Sequence, residues 1–238
     1  MFLEVSAITE ILYVTYNIRH GLNAAGKQDL KAVAKVLGQI GPDIVGLQEV
    51  DHLRPRSGSV DQAAYLARSL SMDHVFGAAI HYRTGAYGNA ILSKFPFSKT
   101  AHHLLPSRGE QRACLEAEII IGTKKLSIFN THLGLMQQER HLQLQDHILP
   151  MVMGKNNPLI LSGDFNATET ASELEPCNRT LKDTFKQNTG PVINTYPAHE
   201  PQIRIDYVFI NHFLQCSNFF IVDTLASDHL PVTARLRL

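Results

Sequence analysis

Gly163-Asp164-Phe165-Asn166 places a carboxylate and an amide two residues apart, so in an extended segment Asp164 and Asn166 share one face and Phe165 takes the other. Phe165 can then enter a core while the polar pair enters a pocket, and Gly163 permits close backbone approach. A carboxylate there can orient or deprotonate a water, and the amide can donate to an anionic oxygen. By itself the segment reads equally as an Asx-type turn after a strand.

Ser227-Asp228-His229 precedes Pro231 and a final strand, and both ionisable side chains can serve one site only if the backbone bends between them. Glu49 ends the apolar run 44–47, where a carboxylate suits a hard cation such as Mg2+ that keeps most of its waters. Asn17 ends the first strand and could hold one of those waters. Asn130-Thr131-His132 supplies an imidazole at another strand end, and Asp206 offers a carboxylate to orient a histidine. A zinc site finds little support: there is no H-E-x-x-H, and His102-His103 reads as exposed loop. Each of these residues, taken singly, is also an ordinary solvated strand end.

The elements that must position them alternate as in an α/β protein. Strands are expected at 11–16, 44–47, 90–92, 115–121, 126–129, 159–161, 205–210, 218–222 and 231–237. The apolar stripe Leu30, Val33, Leu37, Ile40 predicts a helix over 27–40, stopped by Gly41-Pro42. A second helix over 61–70 opens on Asp61 as N-cap, and a third over 136–149 is closed by Pro150. The order strand, Asn17, helix, strand, Glu49 is echoed by strand, Asn130, helix, strand, Asp164, with intervals of near-equal length. Two such units would bring the polar ends of two sheets together.

Composition bounds the rest. The 238 residues carry 44% hydrophobic side chains and show no linker, so one domain over 1–238 with a sizeable core is expected. Lys plus Arg (22) balances Asp plus Glu (22), which argues against gripping long duplexes through phosphates alone. Cys114, Cys177 and Cys216 form no C-x-x-C pair or disulfide framework. With Glu4 and Glu10 near an N-terminus that lacks a basic n-region, and no membrane-length run, the expectation is a cytoplasmic protein without a protein partner in evidence.

Taken in order, Thr15-Tyr16-Asn17, Leu47-Gln48-Glu49, Gly88-Asn89-Ala90-Ile91-Leu92-Ser93, Asn130-Thr131-His132, Gly163-Asp164-Phe165-Asn166, Ile205-Asp206-Tyr207 and Ser227-Asp228-His229 resemble the endonuclease/exonuclease/phosphatase superfamily. The resemblance runs from residue 15 to 229. It implies a DNase I-like four-layer α/β sandwich, two mixed β-sheets face to face with helices outside. It also implies Mg2+- or Mn2+-dependent hydrolysis of a phosphate ester by an activated water. Glu49 would be the principal metal ligand, with Asn17 and Asp228 near the metal or its waters. Asp164, assisted by Asn166, would position the attacking water. His229, oriented by Asp206, would stabilise the phosphorane or act as base, and His132 would contact the phosphate or the leaving oxygen. The Asn-Thr-His form is closer to the phosphatase, sphingomyelinase and DNase I-like branches than to abasic-site nucleases.

Arg112, Lys94 and Asn89 are expected to bind substrate phosphate, although surface cations beside strands would look the same. Arg54, Arg56 and Arg83 lie in loops that could recognise substrate, while Arg140 reads as structural. The segment Ser57–Gln62 is similar to small bacterial-type members of that superfamily and to a domain of lipid-anchor remodelling. The phosphate ester could thus be a small molecule, a lipid headgroup or, in a nuclease reading, a nucleic acid; a non-catalytic binding module on the same fold is the further alternative.

Overall fold

The computed structural model describes residues 10–187 and 193–238, so the N-terminal segment used above to argue against a leader lies outside the described residues. Twelve strands run in chain order: β1 (Glu10–Asn17), β2 (Ile44–His52), β3 (Asp73–His81), β4 (Ala86–Ser93), β5 (Phe97–Leu104), β6 (Ala113–Ile121), β7 (Lys124–His132), β8 (Leu159–Asp164), β9 (Lys182–Asp183), β10 (Asp206–Ile210), β11 (Gln215–Ile221) and β12 (Val232–Arg237). They form two six-stranded sheets, ordered β11-β12-β1-β2-β4-β3 and β5-β6-β7-β8-β10-β9. Each sheet is mixed. Its central parallel pair, β1 with β2 or β7 with β8, is flanked by antiparallel strands.

The two orders correspond position for position, with β1-β2 of one sheet in the place of β7-β8 in the other, so the echo read from sequence corresponds to a structural repeat. Between the sheets lies a core that includes Ile11, Tyr13, Ile91, Ile128, Ile160 and Val208. Helices α1 (Leu30–Ile40) and α2 (Gln62–Leu70) cover the outer face of the first sheet through Val33, Leu37 and Leu66. Helices α3 (Gln137–Leu142), α4 (Leu149–Met153) and α5 (Glu175–Thr180) lie on the second sheet's side, where Leu144, Leu149 and Cys177 join its outer core. The expected four-layer sandwich is what the chain forms.

Local signals explain the helix starts. Asp29 and Asp61 accept from the backbone N–H of Ala32 and Ala64, each satisfying an orphan donor of a first turn. Helix α1 therefore begins at Leu30, where its apolar stripe begins, three residues later than the expected start at 27. Pro150 does not close the third helix. A π-helical turn over Gln143–Ile148 precedes α4, and the wider turn makes room for a ring that would clash with the carbonyl four residues back. His102 and His103 lie on strand β5 rather than in a loop, and His103 pairs with Glu116 at 2.9 Å.

The sheets are clasped by buried polar side chains. Asn130 on β7 donates to the carbonyls of Leu47 (2.8 Å) and Ala90 (3.0 Å) and accepts from Gln48 Nε2 (2.6 Å). Tyr13 and Ser162 share a hydroxyl contact of 2.5 Å across the same gap. Gly46 is the residue that lets them meet, because a Cβ there would lie 2.6 Å from Tyr13 Oη and 3.0 Å from Asn130 Oδ1.

Candidate active site

Two parallel pairs with their carboxyl ends at the same edge of the sandwich bring Asn17, Glu49, His132 and Asp164 together. In the second sheet the register sets His132 and Asp206 on either side of Asp164. Glu49 turns out of β2 through a left-handed backbone position (φ 56°), where the pairing with β4 shifts register. Gly163, at φ 140°, lies against the Thr131 carbonyl where any Cβ would collide, so β7 and β8 approach closely enough to set His132 beside Asp164. The bend required at Ser227-Asp228-His229 is held by Ser227 Oγ, which donates to the Asn17 carbonyl at 2.8 Å.

Asp164 Oδ2 is the hub. It accepts from Asn17 Nδ2 at 3.0 Å and stands 3.5 Å from His132 Nε2 and 3.6 Å from His229 Nε2. Asn17 Nδ2 also donates to Glu49 Oε1 at 3.0 Å, so one amide bridges the two carboxylates. Behind His229, Asp206 Oδ2 lies 2.9 Å from Nδ1, and the Tyr196 ring packs on the imidazole at 4.8 Å between centroids. Glu49, His132, Asp164, Tyr196 and His229 line a pocket of about 480 Å3 together with His20, Arg56, Tyr87, Glu110, Arg112, Leu135, Asn166, Ile203 and Asp228, while Asn17 and Asp206 support it from behind.

The histidines are held in opposite states. Burial lowers the His132 pKa to about 4, and Arg112 beside it adds to the depression against the pull of Asp164. Arg112 Nη1 is 3.2 Å from His132 Nδ1, and a guanidinium only donates, so Nδ1 is the acceptor and Nε2 carries the proton. Burial also opposes charge on His229, but Asp206, Asp164 and Asp228 overcome it and push the pKa up to about 10. Burial likewise works to raise Glu49. His20, His132, Asn17 and His229 outweigh it and hold the carboxyl well below the usual carboxylate range.

Glu49 and Asp228 both line the pocket and offer carboxylate oxygens, which suit a hard divalent cation, whereas Asn17 turns its Nδ2 to Glu49 and Asp164 and its Oδ1 accepts from the Arg19 N–H. Asp164, Asp206 and His229 also present donor atoms within 4.8 Å of one another. We read that trio as a hydrogen-bonded relay, because His229 Nδ1 is already engaged by Asp206.

Not every residue expected here arrives. Lys94 lies at the opposite end of the sandwich, paired with Asp43 at 3.0 Å. Strand β4 runs antiparallel to β2, with Ser93 opposite Ile44, so its last residues point away from Glu49. Asn89 is buried and donates to the Ala113 carbonyl at 2.9 Å, tying the sheets together behind the pocket. Asn166 does line the pocket, but its amide donates to the Leu133 carbonyl at 3.0 Å. Arg56 lines the pocket while clamped by Asp51 at 2.7 and 2.8 Å. Ser57 and Gln62 also bind Asp51, so much of the 57–62 segment is spent holding the end of β2.

Sequence reasoning missed Tyr196, Glu110, and the Arg19-His20 pair, which stand 3.2 Å from Asp228 and 3.7 Å from Glu49. Their only sequence signal was adjacency: Arg19 and His20 follow Asn17 closely, and Glu110 lies two before Arg112.

The model of the endonuclease/exonuclease/phosphatase family matches residues 14–229. Protein YbhP of Escherichia coli is 26% identical over 243 residues, spanning 94% of this chain and 95% of that protein. A conserved protein from Enterococcus faecalis superposes with a TM-score of 0.81 at 20% identity, covering 95% of this chain and 99% of that one. A mannosyl-6-phosphatase from Bacteroides thetaiotaomicron superposes at 0.74 and 19% identity over 95% and 99%. At such identities the superpositions speak to the fold alone.

Proposed function

The chain belongs to the endonuclease/exonuclease/phosphatase family, and we propose on that premise that it is a divalent-metal-dependent hydrolase of phosphate esters, with 1–238 acting as one catalytic domain. The observation that carries this reading is the Asp164 carboxylate, reached by Asn17, His132 and His229 from three separate parts of the chain. Nothing about packing alone requires two histidines and an amide to face one buried carboxylate, whereas phosphoryl transfer needs an aligned water and charge stabilisation.

Glu49, with Asp228, would hold Mg2+ or Mn2+, and Asn17 would orient the carboxylates and waters beside it. When bound, the cation neutralises phosphoryl oxygens and polarises phosphorus. The chain's own residues supply the rest. Asn17 Nδ2 fixes Asp164 so that Oδ2 accepts a proton from water as the new O–P bond forms. The ester P–O bond breaks, and the departing oxygen takes a proton from solvent reaching the pocket. His229, cationic on its Asp206 support, donates Nε2–H to the charge that accumulates on phosphorus-bound oxygen. His132, neutral with Nε2 protonated, adds a second donor. This arrangement favours Asp164 over His229 as base, since a histidine with pKa near 10 already holds its proton.

The test is turnover of bis(4-nitrophenyl) phosphate and 4-nitrophenyl phosphate with Mg2+, Mn2+ or EDTA. Metal-dependent release of nitrophenol, lost in Glu49→Gln, supports the reading. No release from either ester or from an oligonucleotide, by folded and metal-supplied protein, refutes it.

A further inference from the structure

The rim of the pocket carries apolar side chains in solvent. Leu135 is 71% exposed, Met136 65% and Ile203 39%, and Leu135 and Ile203 line the same pocket as Asp164 and His229. Scattered surface leucines need no explanation. What sets this pair apart is how firmly it is held. Leu133, buried in the core, donates its N–H to the Asp164 carbonyl at 2.9 Å, and its carbonyl accepts from Asn166. Gly134 N–H donates to Gln143 Oε1 at 2.9 Å, and a side chain on Gly134 would collide with Glu139. Arg140 Nη1 donates to the Leu135 carbonyl at 2.6 Å, and its guanidinium is anchored on the buried Glu173 at 2.6 Å.

The segment between His132 and α3 is thus clamped at Leu133, Gly134 and Leu135, and the result is a large apolar side chain, Leu135, presented in the pocket of Asp164 with the exposed Met136 next to it in the chain. A loop free to collapse would bury them. Resting on the phosphate-ester reading above, we propose that Leu135 and Met136, with Ile203, form the recognition surface for an apolar substituent of the substrate. The substrate is then an amphiphilic phosphate ester, taken one molecule at a time.

The charges at the mouth favour this occupant over a nucleic acid or a bilayer. Arg112 and Arg56, which line the pocket, and Arg19, which reaches Asp228, are each paired with a carboxylate: Arg112 with Glu110 at 2.6 Å, Arg56 with Asp51 at 2.7 Å and Arg19 with Asp228 at 3.2 Å. Among the described residues, the pocket-lining arginines leave no unpaired guanidinium for a polyanion. An anionic membrane surface likewise meets paired charges there rather than a cluster of lysines.

A series of alkyl 4-nitrophenyl phosphodiesters, methyl to octyl and each kept below aggregation, tests the proposal with Mg2+ or Mn2+ present. Burying a methylene fully is worth roughly fourfold, so a half-covered chain should raise kcat/KM by about twofold per carbon over the first few carbons. In Leu135→Ser/Met136→Ser that gain should fall close to one per carbon; both residues are exposed, so the variant folds. Binding of alkylphosphonates of the same lengths, followed by calorimetry, reads the surface without any turnover. Affinity rising with chain length supports the recognition surface even if no diester is cleaved, a result that would count against the hydrolase reading alone. Chain-length independence in the wild type, an unchanged slope in the variant, or preference for an oligonucleotide or for vesicle-bound lipid overturns the proposal.

Discussion

Asp206 and His229 form a buried pair, Oδ2 to Nδ1 at 2.9 Å, that joins the start of β10 to the loop before β12. Neither residue is near the other in sequence, and the contact decides the charge of the imidazole. The His229 pKa, about 10, lies above its ordinary 6.5, so stability from this proton is present in full below 6.5 and is lost as pH rises through about 10.

Removing the Asp206 charge should therefore move the alkaline side of the activity profile. In Asp206→Asn the alkaline limb is expected to shift from near pH 10 toward neutrality, with kcat reduced about tenfold or more at pH 8. A pH–rate profile of both proteins checks it, and an unmoved limb rules out His229 as the group responsible.

Arg112 should act through His132 rather than as a simple phosphate clamp. With the guanidinium 3.2 Å from Nδ1, the wild-type ring is expected to show an unprotonated Nδ1 and a protonated Nε2 in 15N spectra from pH 5 to 8. Arg112→Met should raise the His132 pKa from about 4 toward the ordinary value and lower kcat more than it raises KM. Because the folded pKa is depressed, the wild type loses stability as pH falls from 6.5 toward 4, when the unfolded chain takes up the proton first. Arg112→Met should flatten that loss.

Asp164→Asn should cost about a hundred- to ten-thousandfold in kcat while leaving the thermal midpoint unchanged or higher, since a buried charge is removed from a crowded acidic site. Activity and calorimetry on the same preparation separate this from unfolding.

Asn130→Ala should do the reverse. It strips two donors and an acceptor from a dry inter-sheet gap, costing about 3 kcal/mol or more and lowering Tm by roughly 6 to 12 °C. Thermal unfolding followed by circular dichroism checks it. Lys94→Ala serves as the contrast, with turnover close to wild type.

Residue type and local period carried much of this protein in one dimension. Alternating apolar runs and helical stripes marked an α/β chain, the four layers followed only from the family resemblance of its ordered motifs, and Asp61 marked a helix start because capping is satisfied within three residues of chain. The ordered polar strand ends, Asn17, Glu49, His132 and Asp164, were legible because parallel strands joined by a helix must end on the same side. What lies across sheets was not. Strand direction sent Lys94 to the far end, and sheet-to-sheet register spent Asn89 and Asn130 on clasps. Folding alone brought Tyr196 to His229, Arg112 to His132 and Leu135 to the rim of the Asp164 pocket. Those outcomes depend on pairings between distant segments, which no local pattern encodes. They decide which histidine is charged and what the pocket's edge presents to a substrate.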